Sequence, residues 1–130
     1  MKYWTAGFRE LSSMSRPIVL AIVRDLFFRS KIDAAAAATG AEVGYASTLD
    51  AVGLRCAELK PAVVLTDLSD DAFPALETLK RIRAAAPGAR VIGFASHVDL
   101  NSIRAAREAG YDLVLSRSEF TARLPDLLRP

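Results

Sequence analysis

At 130 residues, 52% of them hydrophobic and 25% charged, the chain is sized for one globular domain whose core needs neither disulfide nor metal. A net charge of +2 with acids and bases interleaved gives no electrostatic case for nucleic-acid binding. The single cysteine, Cys56, excludes an intramolecular disulfide, and no run approaches the ~20 apolar residues of a membrane span, so no membrane partner and a cytoplasmic location are expected.

Residues 1–16 stand apart from the rest. Trp4, Phe8 and Leu11 fall at helical spacing, so the stretch reads either as a loosely attached extension, with Met14 a candidate start, or as a short aromatic helix that docks on the domain or on a partner. The domain itself is expected over 17–130. Residues 18–23 form an unbroken apolar run with β-branched members, which suits a strand buried on both faces. An alanine-rich helix over 26–39 follows, closed by Gly40 where a left-handed cap is wanted. Residues 42–46 give a second strand. Ser47, with Asp50 three positions on, resembles a capping box for a helix that runs to Lys60 before Pro61. The third strand spans 62–66, and Asp67 ends it.

The second half repeats this rhythm. A helix over 74–86 places Leu76, Leu79 and Ile82 on one face and stops at Pro87-Gly88. Residues 91–95 form a fourth strand. A helix over 100–109 closes at Gly110, and 113–115 form a fifth strand. A short last helix starts at Thr121 and carries Leu124, Leu127 and Leu128, with Pro125 near its first turn. Strands alternating with helices over short connections predict a single doubly wound α/β domain, a parallel sheet covered on both faces.

In such open sheets, reacting groups collect beyond the carboxyl ends of the strands. That rule selects Arg24 and Asp25 after strand one, Asp67 after strand three, Ala95-Ser96 after strand four and Ser116-Arg117 after strand five. Two carboxylates, a hydroxyl and a guanidinium in one shallow site suit a divalent cation together with a phosphate. Other polar residues carry less. His97 is a lone loop histidine with no Ser–His–Asp or Cys–His companions. Cys56 falls in step with Leu49, Val52 and Leu59 as a small core residue. Asp70 and Asp71 read as a cap for the next helix rather than as extra metal ligands. No glycine-rich loop follows strand one, which argues against a dinucleotide or flavin.

The segments Pro61-Ala-Val-Val-Leu-Thr-Asp67, Leu76-Glu77-Thr-Leu79-Lys-Arg-Ile82-Arg83, Pro87-Gly-Ala-Arg-Val-Ile92 and Ala105-Ala-Arg-Glu-Ala-Gly110-Tyr-Asp112 resemble the receiver domain of two-component response regulators. The resemblance covers residues 17–130 and implies a CheY-like, flavodoxin-like sheet of order 2-1-3-4-5. It implies that Asp67 accepts a phosphoryl group from a histidine kinase or phosphotransfer protein. It implies that Asp25, Asp67 and the backbone carbonyl of Ser69 hold Mg²⁺, and that Ser96 and Arg117 stand nearest the family's phosphoryl-contacting positions. It implies no enzymatic activity and an output by protein–protein contact, to a target or a second copy, through the face of the fourth helix, fifth strand and fifth helix. The departures mark an atypical, degenerate member. Arg24 stands where the first acid is expected, Ala95 replaces the switch hydroxyl, Arg117 the lysine, Ser118 the following proline and Val114 an aromatic.

These departures have physical consequences. An arginine at position 24 removes a negative charge from a cation site and adds a positive one, so Mg²⁺ should bind less well. Its guanidinium either pairs with Asp25 or Asp67 and takes over the metal's electrostatic part, or points to solvent. Two functions stay open: a single-domain phosphorelay receiver, and a phosphorylation-independent pseudo-receiver acting as a binding or dimerisation module. An enzyme on this fold has little support.

Overall fold

The computed structural model describes residues 16–129. The expected aromatic helix on Trp4, Phe8 and Leu11 therefore lies outside the described residues. The elements run β1 (Ile18–Ile22), α1 (Leu26–Thr39), β2 (Glu42–Tyr45), α2 (Leu49–Leu59), β3 (Val63–Asp67), α3 (Ala75–Ala85), β4 (Arg90–Ala95), α4 (Leu100–Ala109), β5 (Leu113–Ser116) and α5 (Arg117–Leu127). All four strand pairings are parallel, and the sheet order is β2-β1-β3-β4-β5. The doubly wound topology expected from the alternation of elements is the one formed.

Period-two alternation in the central strands splits the core in two. Leu20, Ile22, Val64 and Val91 pack with α2, α3 and α4 through Val52, Cys56, Leu79, Ile82 and Ala106. Val19, Ala21, Val63, Leu65, Ile92 and Phe94 pack on the opposite face with Phe28, Ile32, Phe120 and Leu124 of α1 and α5. Cys56 is fully buried beside Val52, as its spacing implied. The central strands β1, β3 and β4 thus carry no solvent-facing side, and all five strands end together at one rim.

The helix starts fix that rim. Asp25 caps α1 by accepting from the backbone N–H of Phe27 and Phe28 at 2.8 and 3.1 Å, and Gly40 closes the helix at φ 80°. Arg29 then ties α1 to the sheet. Its Nε donates to the Val23 carbonyl at 2.6 Å, its Nη2 to Ser47 Oγ at 2.7 Å, and its guanidinium lies 4.4 Å from the Tyr45 ring centroid.

Three local expectations are corrected. Thr48, not Ser47, caps α2, accepting from the Ala51 N–H, while Ser47 is held by Arg29. Leu76 is half exposed rather than part of the α3 core stripe. Steps of three residues drift by about 60° on a 3.6-residue helix, and the buried set is Thr78, Leu79 and Ile82. The last helix begins at Arg117, four residues before Thr121. Ser116 and Glu119 form a reciprocal capping box there, so Pro125 lies in the last turn of the helix and not in its first.

Candidate functional site

Five strand ends meet at the rim, and the β1–α1 and β3–α3 loops shape an open cleft of about 540 Å³ lined by Arg24, Asp25, Asp67, Ser69, Asp70 and Asp71. Asp67 is placed by β3, whose five residues are all buried. It pairs in register with Phe94 of β4, and the N–H of Leu68 donates to the Phe94 carbonyl at 2.8 Å. Asp67 is only 5% exposed. Its Oδ1 accepts from the Ser69 N–H at 3.2 Å. Burial pushes the Asp67 carboxyl above the ordinary carboxylate range. The Ser69 N–H and the Arg117 charge oppose that push, while Asp70 and Asp25 add to it.

The sign of this shift makes a stability prediction. A carboxyl raised by folding favours its protonated form in the native state, so its ionisation costs stability above its folded pKa. That cost fades as pH falls through the raised value. Asp67→Asn is therefore expected to stabilise the domain at neutral pH by about 1 kcal/mol, the order for relieving an incompletely compensated buried charge. Thermal melts of the two proteins should converge as the pH is lowered. A variant less stable than wild type at neutral pH contradicts this reading.

Arg24 is where the arrangement departs furthest from expectation. Its guanidinium pairs with neither Asp25 nor Asp67. It grips Asp70 in a two-pronged fork, Nε to Oδ2 at 2.7 Å and Nη2 to Oδ1 at 2.6 Å. The pair joins the β1–α1 loop to the β3–α3 loop across 46 residues. Arg24 is half exposed and Asp70 only 14% exposed, so water screens the cation's side more than the carboxylate's. Arg24 holds the Asp70 carboxyl below the ordinary range. Asp70 also accepts from the Ala72 N–H at 2.9 Å, and the Phe73 ring lies 5.8 Å from the guanidinium. Asp70 thus fastens its own loop. It does not cap α3, whose first turn follows Pro74 with no side-chain cap.

A second tie crosses the rim on the β4 side. Ser69 Oγ donates to Asp99 Oδ2 at 3.1 Å and accepts from the Ser96 N–H at 3.1 Å. Asp99 also caps α4 through the Ser102 N–H. Ser96 thus enters the site through its backbone amide, with Ala95 before it fully buried. Arg117 opens α5, is exposed, and lies 5.6 Å from the Phe28 ring centroid. It reaches Asp67 as a charge at a distance. His97 is exposed, in keeping with a solvated loop histidine.

Sequence reasoning missed the roles of Asp70, Asp99 and the Ser69 hydroxyl. Asp99 had a readable signal, a capping residue three positions before Ser102 at a helix start. The partners of Asp70 and Ser69 lie 46 and 30 residues away, and no local pattern marks them.

The donors expected to hold a divalent cation are partly committed to other partners. Among the described residues there is no group of three or more His, Cys, Asp or Glu side chains able to hold a metal ion. Asp70 is taken by Arg24, and Asp25 Oδ1 is turned to the start of α1. Among the described residues, no helix is long and apolar enough to cross a membrane.

No protein-family model and no curated protein matches the sequence. Solved structures do match its shape. The receiver domain of a sensor histidine kinase from Pseudomonas aeruginosa PAO1, which has a magnesium ion coordinated in its active-site cleft, is 13% identical. It superposes with a TM-score of 0.71 over 87% of this chain and 98% of that one. An orphan response regulator of H. pylori is 18% identical, with a TM-score of 0.70 over 88% and 98% of the two chains. A response regulator from Burkholderia pseudomallei, carrying a phosphorylated aspartic acid, a calcium ion and citrate, is 17% identical. Its TM-score is 0.73 over 87% of this chain and 66% of that one. The topology, the strand order and these superpositions agree: the chain has the CheY-like fold of response-regulator receiver domains.

Proposed function

We propose that the protein is a receiver-fold signalling module that acts through protein–protein contact without requiring an acyl phosphate on Asp67. One observation carries this reading: the fork of Arg24 on Asp70, which fastens the β1–α1 and β3–α3 loops to each other. The Ser69 tie to Asp99 and Ser96 supports it, because it fastens the β4–α4 loop in the same way. A receiver that answers phosphorylation needs loops that rearrange when the phosphoryl group arrives, and here both bonds are made beforehand.

The contact surface in this reading is the face of α4, β5 and α5, offered to a target protein or a second copy. Ala106 is the one buried residue of α4. Val98 and Leu100 at its start are 73% and 63% exposed, and exposed Arg104, Arg107 and Glu108 surround the patch with charge. Apolar side chains rimmed by polar ones suit a partner surface.

A second reading has its own support. Asp67 ends β3 and lines the cleft beside Ser69 and Asp25, the place a phosphoacceptor needs. In that reading a histidine kinase or phosphotransfer protein donates to Asp67, Ser96 and Arg117 take the phosphoryl oxygens, and Mg²⁺ on Asp25, Asp67 and the Ser69 carbonyl assists. The two separate by experiment. Amide spectra of α4, β5 and α5 are recorded with and without a small phosphodonor and Mg²⁺. The first reading expects them unchanged. Shifts that spread over this face in wild type and are lost in Asp67→Asn select the second.

A further inference from the structure

We infer that the acidic cleft excludes divalent cations because Arg24 serves as its built-in cation, and that this one residue sets the exclusion. The inference rests on the reading above only in taking the same cleft as the functional one.

Four carboxylates, Asp25, Asp67, Asp70 and Asp71, line the cleft with one guanidinium. By charge alone it would attract a divalent ion. The geometry commits part of this set, Asp70 above all. Both oxygens of Asp70 are bonded to the Arg24 fork, at 2.6 and 2.7 Å. Asp25 Oδ1 accepts two backbone N–H groups of the first turn of α1. Asp67 Oδ1 accepts the Ser69 N–H. Mg²⁺ demands near-octahedral oxygens at short range and sheds its own waters reluctantly, so a cleft whose Asp70 is already gripped on both oxygens by a guanidinium offers it a reduced ligand set. The fixed positive charge of Arg24 repels it further.

The fork is well supported. A planar guanidinium matched to a carboxylate by two parallel bonds is the strong geometry for such a pair. Asp70 is held in place independently by the Ala72 N–H, so the acceptor is presented to Arg24 rather than found by chance. An arginine at this position neutralises the cleft permanently, where a bound ion would do so only at sufficient concentration. It follows that a carboxylate at position 24 converts the cleft. Arg24→Asp removes the repelling charge, frees Asp70, and puts a second acid beside Asp25.

The test is a titration of the full chain with Mg²⁺, followed by amide chemical shifts and by line broadening from trace Mn²⁺. Wild type is expected to show no saturable shift at Asp25, Asp67 or Ser69. Arg24→Asp is expected to saturate at those residues with an affinity at least ~10-fold higher, from the reversal of one charge at close range. Arg24→Ala, which removes the charge without adding a donor, is the second variant and is expected to fall between the two; a folded amide spectrum qualifies either variant. Saturable wild-type binding that Asp67→Asn abolishes overturns the inference. So does a result in which the folded variants are as inert as wild type, since the guanidinium is then not the excluding group. Wild-type Mg²⁺ binding alone leaves the proposed function standing, because that reading is judged on the response of the α4–β5–α5 face.

Discussion

Phe94→Ala is expected to destabilise the domain by about 3–5 kcal/mol, the range for removing a fully buried aromatic ring. Phe94 stacks on Phe120 with ring centroids 4.0 Å apart and planes 12° from parallel, and it meets Phe28 at 5.1 Å. This cluster joins β4 to α1 and α5, so its loss loosens both helices on that face of the sheet. Phe94 is also the register partner of Asp67, and its carbonyl receives the Leu68 N–H. The substitution should therefore disturb the rim as well as the core. Urea denaturation should show a lower midpoint with an unchanged slope. Phe27→Ala is the internal control. That ring is 65% exposed, and its removal should stay within about 0.5 kcal/mol.

Gly93→Ala is expected to cost about 1–3 kcal/mol by overpacking, although the change adds a single methyl group. A Cβ at Gly93 would stand 2.5 Å from Leu68 Cδ1, 3.0 Å from Leu68 Cγ and 3.1 Å from Tyr111 Cδ2. Leu68 and Tyr111 are both buried. The Tyr111 hydroxyl is held by the Ala75 carbonyl at 2.9 Å, so neither side chain can retreat freely. Leu68 is the residue directly after Asp67, and its displacement would be felt at the β3–α3 loop. The explanation has a specific check: Gly93→Ala should cost markedly less in a Leu68→Ala background than alone. Additive costs would show that Leu68 is not the obstacle.

Much of the fold was legible because its signals are local. α1 spans 26–39 as expected, since Asp25 supplies the start and Gly40 the left-handed stop within a single apolar pattern. The strands were readable as short β-branched runs between turn residues. The last helix starts at the Ser116–Glu119 capping box and not near Pro125. The box satisfies backbone groups at both its ends, and Pro125 falls in the last turn of the helix it starts.

The candidate site was legible in position and not in wiring. Asp67, Asp25 and Arg24 were all placed at the rim by the rule for strand ends, and they line one cleft. The choice of Asp70 as the partner of Arg24 depends on how two loops approach each other in space, and the charge pattern offers four carboxylates without ranking them. The Ser69 bridge to Asp99 is of the same kind.

The central claim is that Asp67 sits in a receiver fold whose function does not pass through its phosphorylation. Intact mass spectrometry after incubation with a small phosphodonor and excess Mg²⁺ tests it most directly. Wild-type protein is expected at its unmodified mass, indistinguishable from Asp67→Ala treated alongside. A stoichiometric gain of one phosphoryl group in wild type, absent from Asp67→Ala, would contradict it.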